Sequence, residues 1–237
     1  MTSPSPADAQ SPPPQGRAWD VSRAALEWSA QPYLGVRAVG AERVRGDSGG
    51  LLLANHQSFL DPIVLGLPLN RSITFVARDS LFRIPVFGRY LRAMKTLPIA
   101  RDAPATAGMR AALAAIERGE LVGLFPEGTR TADGSLGPLK PGFVTLARRS
   151  GRPVYPVGIA GAFECLPRSR KLPIPTPGRV RVVFGEPIAP ETVEAAGGTM
   201  EIVALVEGRI AAAHAAAVRW RETGEEPTGV DAAGEPG

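Results

Sequence analysis

His56 and Asp61 are the residues whose types and spacing most directly suggest chemistry. A short apolar run at 51–54 precedes the polar residues 55–58, which predicts a buried strand ending before His56 and a helix starting near Phe59. At such a junction the helix can place the Asp61 carboxylate against one nitrogen of the imidazole. That contact would fix the tautomer, and the other nitrogen could accept a proton from an attacking hydroxyl. The pattern therefore indicates a histidine general base.

The same residues also fit a purely structural interpretation. Ser58 could be the N-cap of the helix, with Asp61 as the acid of a capping box and Pro62 in the first turn. His56 would then be an ordinary loop residue. A histidine and an aspartate at this spacing are weak evidence by themselves, so the pair taken alone favours the capping box.

A second polar segment follows another predicted buried strand. The strand covers 121–125, and the segment Phe125–Arg130 has the sequence Phe-Pro-Glu-Gly-Thr-Arg. Because the carboxyl ends of parallel strands meet at one edge of a sheet, Glu127 and Arg130 are expected near His56. A glutamate and an arginine on a constrained turn could bind a phosphate or a hydroxyl-bearing headgroup. The alternative is a proline-glycine turn with an incidental ion pair.

The order of the predicted elements gives the fold class. Short apolar runs, typical of buried strands, alternate with longer stretches of helical periodicity. The predicted strands are 51–54, 73–77, 121–125, 154–159 and an alternating strand at 180–184, and the predicted helices begin near 59 and span 106–118, 142–150 and 200–221. This alternation predicts an α/β protein, a single layered domain with a largely parallel central sheet flanked by helices.

Composition limits the remaining possibilities. The 237 residues, 44% hydrophobic and 21% charged, suit one domain, which we expect at 17–221 between a disordered Pro/Ser-rich tail at 1–16 and a disordered acidic tail at 222–237. No apolar run approaches the roughly 20 residues of a membrane-spanning helix, and the first residues lack the pattern of a secretory signal. One cysteine and two histidines argue against a disulfide framework and against a structural metal.

Positive charge is concentrated between Arg71 and Arg101. Seven basic residues stand there against one acid, with four aromatic residues interleaved. Such a mixture suits a lipid headgroup surface or a nucleic acid strand, but no recognisable nucleic-acid-binding module accompanies it. We therefore expect an anionic membrane surface, and no nucleic acid, as a partner. The segment 19–33 has loose helical periodicity and fits equally a helix on the membrane or one packed on the domain.

Four segments, in order, resemble the motifs of the glycerolipid acyltransferases related to 1-acylglycerol-3-phosphate acyltransferase. The first is 55–61, Asn-His-Gln-Ser-Phe-Leu-Asp, and the third is the Phe125–Arg130 segment. The second resembles 78–101, which ends in Leu-Pro-Ile-Ala-Arg, and the fourth resembles 154–159, Val-Tyr-Pro-Val-Gly-Ile. Their joint occurrence favours the catalytic interpretation of the His-Asp pair over the capping box.

The resemblance implies a fatty acyl transfer in phospholipid synthesis. The histidine would deprotonate the free hydroxyl of 1-acylglycerol-3-phosphate, which would attack the thioester of acyl-CoA or acyl-carrier protein and give phosphatidic acid. No cofactor is implied beyond that acyl donor. The protein would be cytoplasmic and peripheral on the inner face of the membrane. The implied catalytic residues are His56 and Asp61, and the implied substrate-binding residues are Arg101, Glu127, Gly128, Thr129 and Arg130 for the acceptor and Pro156 for the donor site.

Two positions depart from the family pattern. Arg78 stands where the second motif usually carries lysine, and Lys95 stands where glycine is usual. The first change preserves the charge with a different donor geometry, and the second adds bulk and charge beside the expected phosphate site. The acceptor could thus be a different lipid, and a non-catalytic phospholipid-binding module is the alternative from another class. His214 is expected to have a surface or packing role, and Cys165 is expected to be a small buried hydrophobic residue.

Overall fold

The computed structural model of the chain describes residues 28, 30–44, 49–69, 71–83, 88, 96–99, 105–170 and 179–228. The predicted tail at 1–16, Arg101 and Lys95 lie outside these residues. So do most of the predicted helical segment 19–33, of which residues 28 and 30–33 are described and helical, and most of the predicted tail at 222–237. The last helix continues through Glu222 to Thr223, and Glu226 lies 2.7 Å from the guanidinium of Arg37.

Within the described ranges, seven strands form one sheet in the order β1-β7-β6-β2-β5-β3-β4. All neighbours are parallel except β6 and β7, which pair antiparallel. This confirms the predicted α/β fold with a largely parallel central sheet. The strands are β1 (Arg37–Val39), β2 (Gly50–Ala54), β3 (Ile73–Arg78), β4 (Leu97–Ile99), β5 (Leu121–Leu124), β6 (Val154–Ala160) and β7 (Arg181–Phe184).

The helices connect and cover these strands. They are α1 (Asp61–Gly66), α2 (Ala105–Glu117), α3 (Gly142–Ser150), α4 (Ala162–Cys165), α5 (Pro190–Ala195) and α6 (Thr199–Thr223), together with 3-10 turns at Ala41–Arg43 and Asp79–Arg83. Helix α3 has the predicted bounds, and α2 and α6 differ from theirs by one or two residues. None of the helices in the described ranges is both long and apolar enough to cross a bilayer.

Strand β2 shows why its sequence is a continuous apolar run. Leu52 and Ala54 pack into the core on one face of the sheet, while Leu51 and Leu53 pack into the core on the other. All four are fully buried, because helices cover both faces. Strand β2 therefore lies in the middle of the domain, with β5 on one side and β6 on the other, and its carboxyl end opens towards His56.

Two features of the sheet differ from the sequence expectation. Strand β7 is buried at all four residues, although its sequence suggested one exposed face, because α6 covers the side that would otherwise meet solvent. Strands β1 and β4 were not predicted, since three residues are too few to establish a period.

Gly158 allows α6 to lie directly on β6. A Cβ built at this position would stand 2.2 Å from the backbone of Ala213 and His214, well inside van der Waals contact. Backbone atoms of a packed helix cannot move aside as a flexible side chain can, so Gly158→Ala is expected to lower the free energy of unfolding by about 1–3 kcal/mol. Urea unfolding measures this; Gly208→Ala, where a new Cβ meets nothing within 4 Å, is the matched control and should not destabilise the protein.

Candidate active site

His56 lies two residues beyond the end of β2, on the loop that leads into α1. Its Nδ1 lies 2.8 Å from Oδ2 of Asp61, the contact expected for a histidine held by a carboxylate. No described residue forms a hydrogen bond with Nε2, and the side chain keeps 19% of its surface exposed. Nδ1 is thus engaged by Asp61, and Nε2 is the nitrogen left for a substrate.

Asp61 is fully buried, and its Oδ2 forms three hydrogen bonds. Besides the His56 ring, the backbone N–H groups of Gln57 and Ser58 donate to this oxygen at 2.7 and 2.8 Å. Burial raises the pKa of Asp61, while the hydrogen bond and charge of His56 and the two backbone donors act in the opposite direction. Oδ1 is buried and has no partner among the described residues.

The capping-box interpretation proves compatible with the His-Asp contact. Asp61 does reach back to the Ser58 N–H, as such a box requires. The reciprocal bond is missing, since the Ser58 hydroxyl donates to the carbonyl of Leu166 and accepts from the Leu60 N–H. The helix begins at Asp61 rather than near Phe59. One carboxylate therefore both orders the loop and holds the imidazole.

The loop after β5 meets the loop after β2 at the same edge of the sheet, as expected from parallel strands. The Phe125 ring stacks on the His56 ring with centroids 4.1 Å apart and 12° between the planes. The Thr131 N–H donates to the His56 carbonyl at 2.8 Å. Both the side chain and the main chain of His56 are thus fixed by the loop 125–131.

Glu127 uses both of its carboxylate oxygens on backbone groups. Oε1 accepts from the His56 N–H at 2.7 Å, and Oε2 accepts from the Gly137 N–H at 2.9 Å. The residue is 5% exposed, and burial raises its pKa against the effect of these two donors. Glu127 therefore ties the catalytic loop to the segment 134–140.

Asn55 and Gln57 anchor the same loop, and neither was predicted as a site residue. The Asn55 amide exchanges two hydrogen bonds with the backbone of Ile159, at 2.9 and 2.7 Å, and so continues the pairing of β2 with β6. The Gln57 amide donates to the Gly134 carbonyl at 2.9 Å and lies 3.4 Å from Nε2 of His214. A polar residue directly after a buried apolar run is the sequence signal that could have identified Asn55.

Among the remaining residues of the loop 125–131, Gly128 and Thr129 are exposed and Arg130 is partly exposed. Gly128 has φ +70°, a left-handed conformation that favours glycine, and its N–H closes the turn on the Phe125 carbonyl. The Arg130 guanidinium lies over the ring of Phe59, 5.9 Å from its centroid. Arg130 thus belongs to the same side of the molecule as His56.

Pro156 occupies a different environment from the other predicted site residues. It is buried within β6, opposite Leu53 of β2 in the strand register. Its carbonyl accepts from the Gly185 N–H at 2.9 Å. The structure therefore brings together His56, Asp61 and Glu127, places the Arg130 guanidinium over Phe59, and leaves Pro156 inside the sheet.

The fold and this site define the class of protein. The chain belongs to the Acyltransferase family, whose family model matches residues 35–160, a range that contains the His56–Asp61 pair and the loop 125–131. Among curated relatives, it is 34% identical over 163 residues to the chloroplastic 1-acyl-sn-glycerol-3-phosphate acyltransferase BAT2 of Brassica napus, covering 68% of this chain and 47% of the relative. The 1-acyl-sn-glycerol-3-phosphate acyltransferase of Bacillus subtilis is 31% identical over 155 residues, covering 65% and 74%.

A solved structure gives the same assignment. The crystal structure of the 1-acyl-sn-glycerophosphate (LPA) acyltransferase PlsC from Thermotoga maritima superposes with a TM-score of 0.69 at 27% identity, over 88% of this chain and 78% of that one. The chain spans about half the length of the chloroplast relatives that it matches.

Proposed function

We propose that the protein is an O-acyltransferase that moves a fatty acyl group from acyl-CoA or acyl-carrier protein to the free hydroxyl of 1-acylglycerol-3-phosphate, giving phosphatidic acid. The observation that carries this proposal is the His56 ring, with Nδ1 held by Asp61 and Nε2 left open. Arg130, an anion-binding side chain, lies on the same side of the molecule. The names of the relatives support the choice of acceptor.

In the proposed reaction, Nε2 of His56 removes the proton from the acceptor hydroxyl as its oxygen attacks the thioester carbonyl. The C–S bond then breaks, the ester forms, and the thiolate takes the proton back from the imidazolium. The Asp61 carboxylate stabilises that imidazolium and keeps the proton of the neutral ring on Nδ1. The acyl group is transferred directly from the thioester sulfur to the acceptor oxygen.

Direct transfer fits the surroundings of the two candidate nucleophiles near the site. The Ser58 hydroxyl is buried and already donates to the Leu166 carbonyl. Cys165 is buried, and burial raises the pKa of its thiol to about 11. A serine without a base and a thiol that resists ionisation are both poor nucleophiles, so a covalent acyl-enzyme is not part of the proposal.

The acceptor's phosphate and glycerol region is assigned to Arg130, Gly128 and Thr129. Arg101, which lies outside the described residues, keeps the same assignment as a prediction from the family resemblance. Glu127, predicted from the sequence to bind the acceptor, is better placed to position His56, because its two oxygens are occupied by backbone donors. The support that Pro156 could give the donor site would be indirect, through the strand that contains it.

Glu127→Gln tests this positioning role. A glutamine oxygen can still accept from the His56 N–H, but its NH2 group would then face the Gly137 N–H, and two donors repel. We expect kcat to fall by about 10- to 100-fold with a change in the acceptor KM of less than about threefold. Arg130→Gln is the contrasting variant, for which the acceptor KM should rise more than kcat falls. A rise in acceptor KM with unchanged kcat in Glu127→Gln would indicate that Glu127 binds the acceptor and does not position His56.

A panel of acceptors tests the proposed substrate. Purified protein is incubated with labelled acyl-CoA and with 1-acylglycerol-3-phosphate, glycerol 3-phosphate, other lysophospholipids or 1-acylglycerol. The proposal predicts the highest kcat/KM for 1-acylglycerol-3-phosphate. Turnover of the unphosphorylated acceptor alone would preserve the reaction class and reject the phosphate roles of Arg101 and Arg130. Repeating the assay with acyl-carrier protein identifies the donor.

The proposed place of action is the inner face of the cytoplasmic membrane, with peripheral attachment. Trp28 supports this, because 85% of its surface is exposed on a helical residue near the start of the described chain. An exposed tryptophan favours the interfacial region of a membrane, because its amphipathic ring suits the headgroup level. Trp28→Ala is expected to reduce flotation with anionic liposomes, whereas Met200→Ala, which removes another exposed apolar side chain, should not. Equal flotation of both variants and wild type would contradict attachment through Trp28.

A further inference from the structure

A surface cavity of about 550 Å³ lies beside the loop 125–131, which contacts the loop that bears His56. It is bordered by the segment from Glu127 to Pro141 and by Arg168, which follows α4. Thr131, also in the lining, donates its N–H to the His56 carbonyl. The cavity thus adjoins the candidate catalytic residues on the side of Arg130.

Three cations line this cavity: Arg130, Lys140 and Arg168. None of them forms an ion pair with a carboxylate in the described part of the chain. The two acids in the lining are already engaged, Glu127 by two backbone N–H groups and Asp133 by Thr131 and Ser135. Three cations against two carboxylates leave the lining with an excess of one positive charge, and all three cations keep their donor groups free of a carboxylate partner within the described ranges, which favours an anion.

Lys140 and Arg168 are held at the cavity by specific contacts. The Lys140 N–H donates to the Pro126 carbonyl at 2.9 Å, and its ammonium group lies over Gly128, where a Cβ would stand 2.9 Å from Nζ. Nη1 of Arg168 lies 3.4 Å from the Thr129 hydroxyl. Two cations from separate parts of the chain thus converge on the exposed turn that follows Glu127.

We infer that Lys140 and Arg168 form a second phosphate subsite beside the Thr129 hydroxyl, distinct from the phosphate role proposed for Arg130. A guanidinium and an ammonium beside a hydroxyl match the oxygens of a phosphate ester, with the arginine able to bind two of them. The inference depends on the proposed acyl transfer only for the source of that phosphate: the acceptor's headgroup or the coenzyme A portion of the donor.

Direct binding to the full chain tests the subsite without turnover. Glycerol 3-phosphate and coenzyme A, neither of which carries a transferable acyl group, are titrated separately and followed by 31P NMR. We expect Lys140→Gln and Arg168→Gln each to raise the dissociation constant of one of these probes by about tenfold. Lys140→Arg should restore most of the affinity, and Arg168→Lys should restore only part of it, because an ammonium group cannot bind two phosphate oxygens side by side. Arg170→Gln, on the same loop but outside the cavity lining, should change it by less than about twofold.

The probe that loses affinity identifies the source. Weaker glycerol 3-phosphate binding assigns the subsite to the acceptor, and weaker coenzyme A binding assigns it to the donor. Unchanged affinity for both probes in the Gln variants, or no binding of either by wild type, overturns the subsite. Phosphatidic acid synthesis, assayed in parallel, separates the two ideas: normal synthesis with unchanged probe binding rejects only the subsite, and altered probe binding without synthesis rejects only the proposed function.

Discussion

Asp61→Asn is expected to lower kcat by about 10²–10⁴-fold while leaving the fold intact. The asparagine oxygen can take the place of Oδ2 and keep the N–H bonds from Gln57 and Ser58. Its NH2 group then occupies the position of Oδ1, which has no partner among the described residues. The imidazole keeps its place but loses the negative charge that would stabilise its protonated form.

Two measurements accompany the kinetics of Asp61→Asn. Circular dichroism and the midpoint of thermal unfolding should stay close to those of wild type, because the loop keeps its backbone hydrogen bonds. Asp61→Ala is the comparison, since it leaves the Gln57 and Ser58 N–H groups buried without an acceptor and should be clearly destabilised. A folded Asp61→Asn protein with kcat within about threefold of wild type would show that the Asp61 carboxylate does not contribute to catalysis.

His56→Ala is expected to have the larger effect, a loss of roughly 10³-fold or more in kcat, because it removes the general base itself. Binding of the acceptor should change little, since the cations assigned to its phosphate lie on other loops. Stability should fall only modestly, because the side chain is partly exposed and chiefly loses its stacking on Phe125.

The control for His56→Ala is Gln57→Ala. It removes a neighbouring side chain of the same loop, with its bond to the Gly134 carbonyl, and leaves the His-Asp contact in place. Its kcat should fall much less than that of His56→Ala. Similar losses in the two variants would indicate that loop disorder, not the missing base, limits the reaction.

The sequence predicts the central sheet well because the central strands are buried on both faces. The apolar run from Leu51 to Leu53 is typical of a strand covered on both faces, and the helix predicted at 142–150 coincides with α3. The antiparallel direction of β7 was not predictable, because a short apolar strand carries no information about its neighbour's direction. Strand pairing is a long-range property, and it is decided by how the connecting chain returns to the sheet.

In the candidate site, too, local features could be predicted from the sequence and long-range contacts could not. The approach of His56 and Asp61 follows from five residues of spacing across a loop, and their meeting with the loop 125–131 follows from parallel strand order. The positioning role of Glu127 could not be predicted in this way. Its second oxygen accepts from the Gly137 N–H, in a segment that folds back on the loop. Arg168 reaches the turn from a region outside all four motifs. Local patterns thus locate the chemistry, while long-range folding decides which charged groups remain available.

The most direct test of the account is to follow labelled acyl-CoA with 1-acylglycerol-3-phosphate in purified wild type and His56→Ala side by side. We expect wild type to move the label into phosphatidic acid, with one coenzyme A released per ester formed, and the variant to form almost none. Label appearing only as free fatty acid, or phosphatidic acid formed at equal rates by the two proteins, would contradict it.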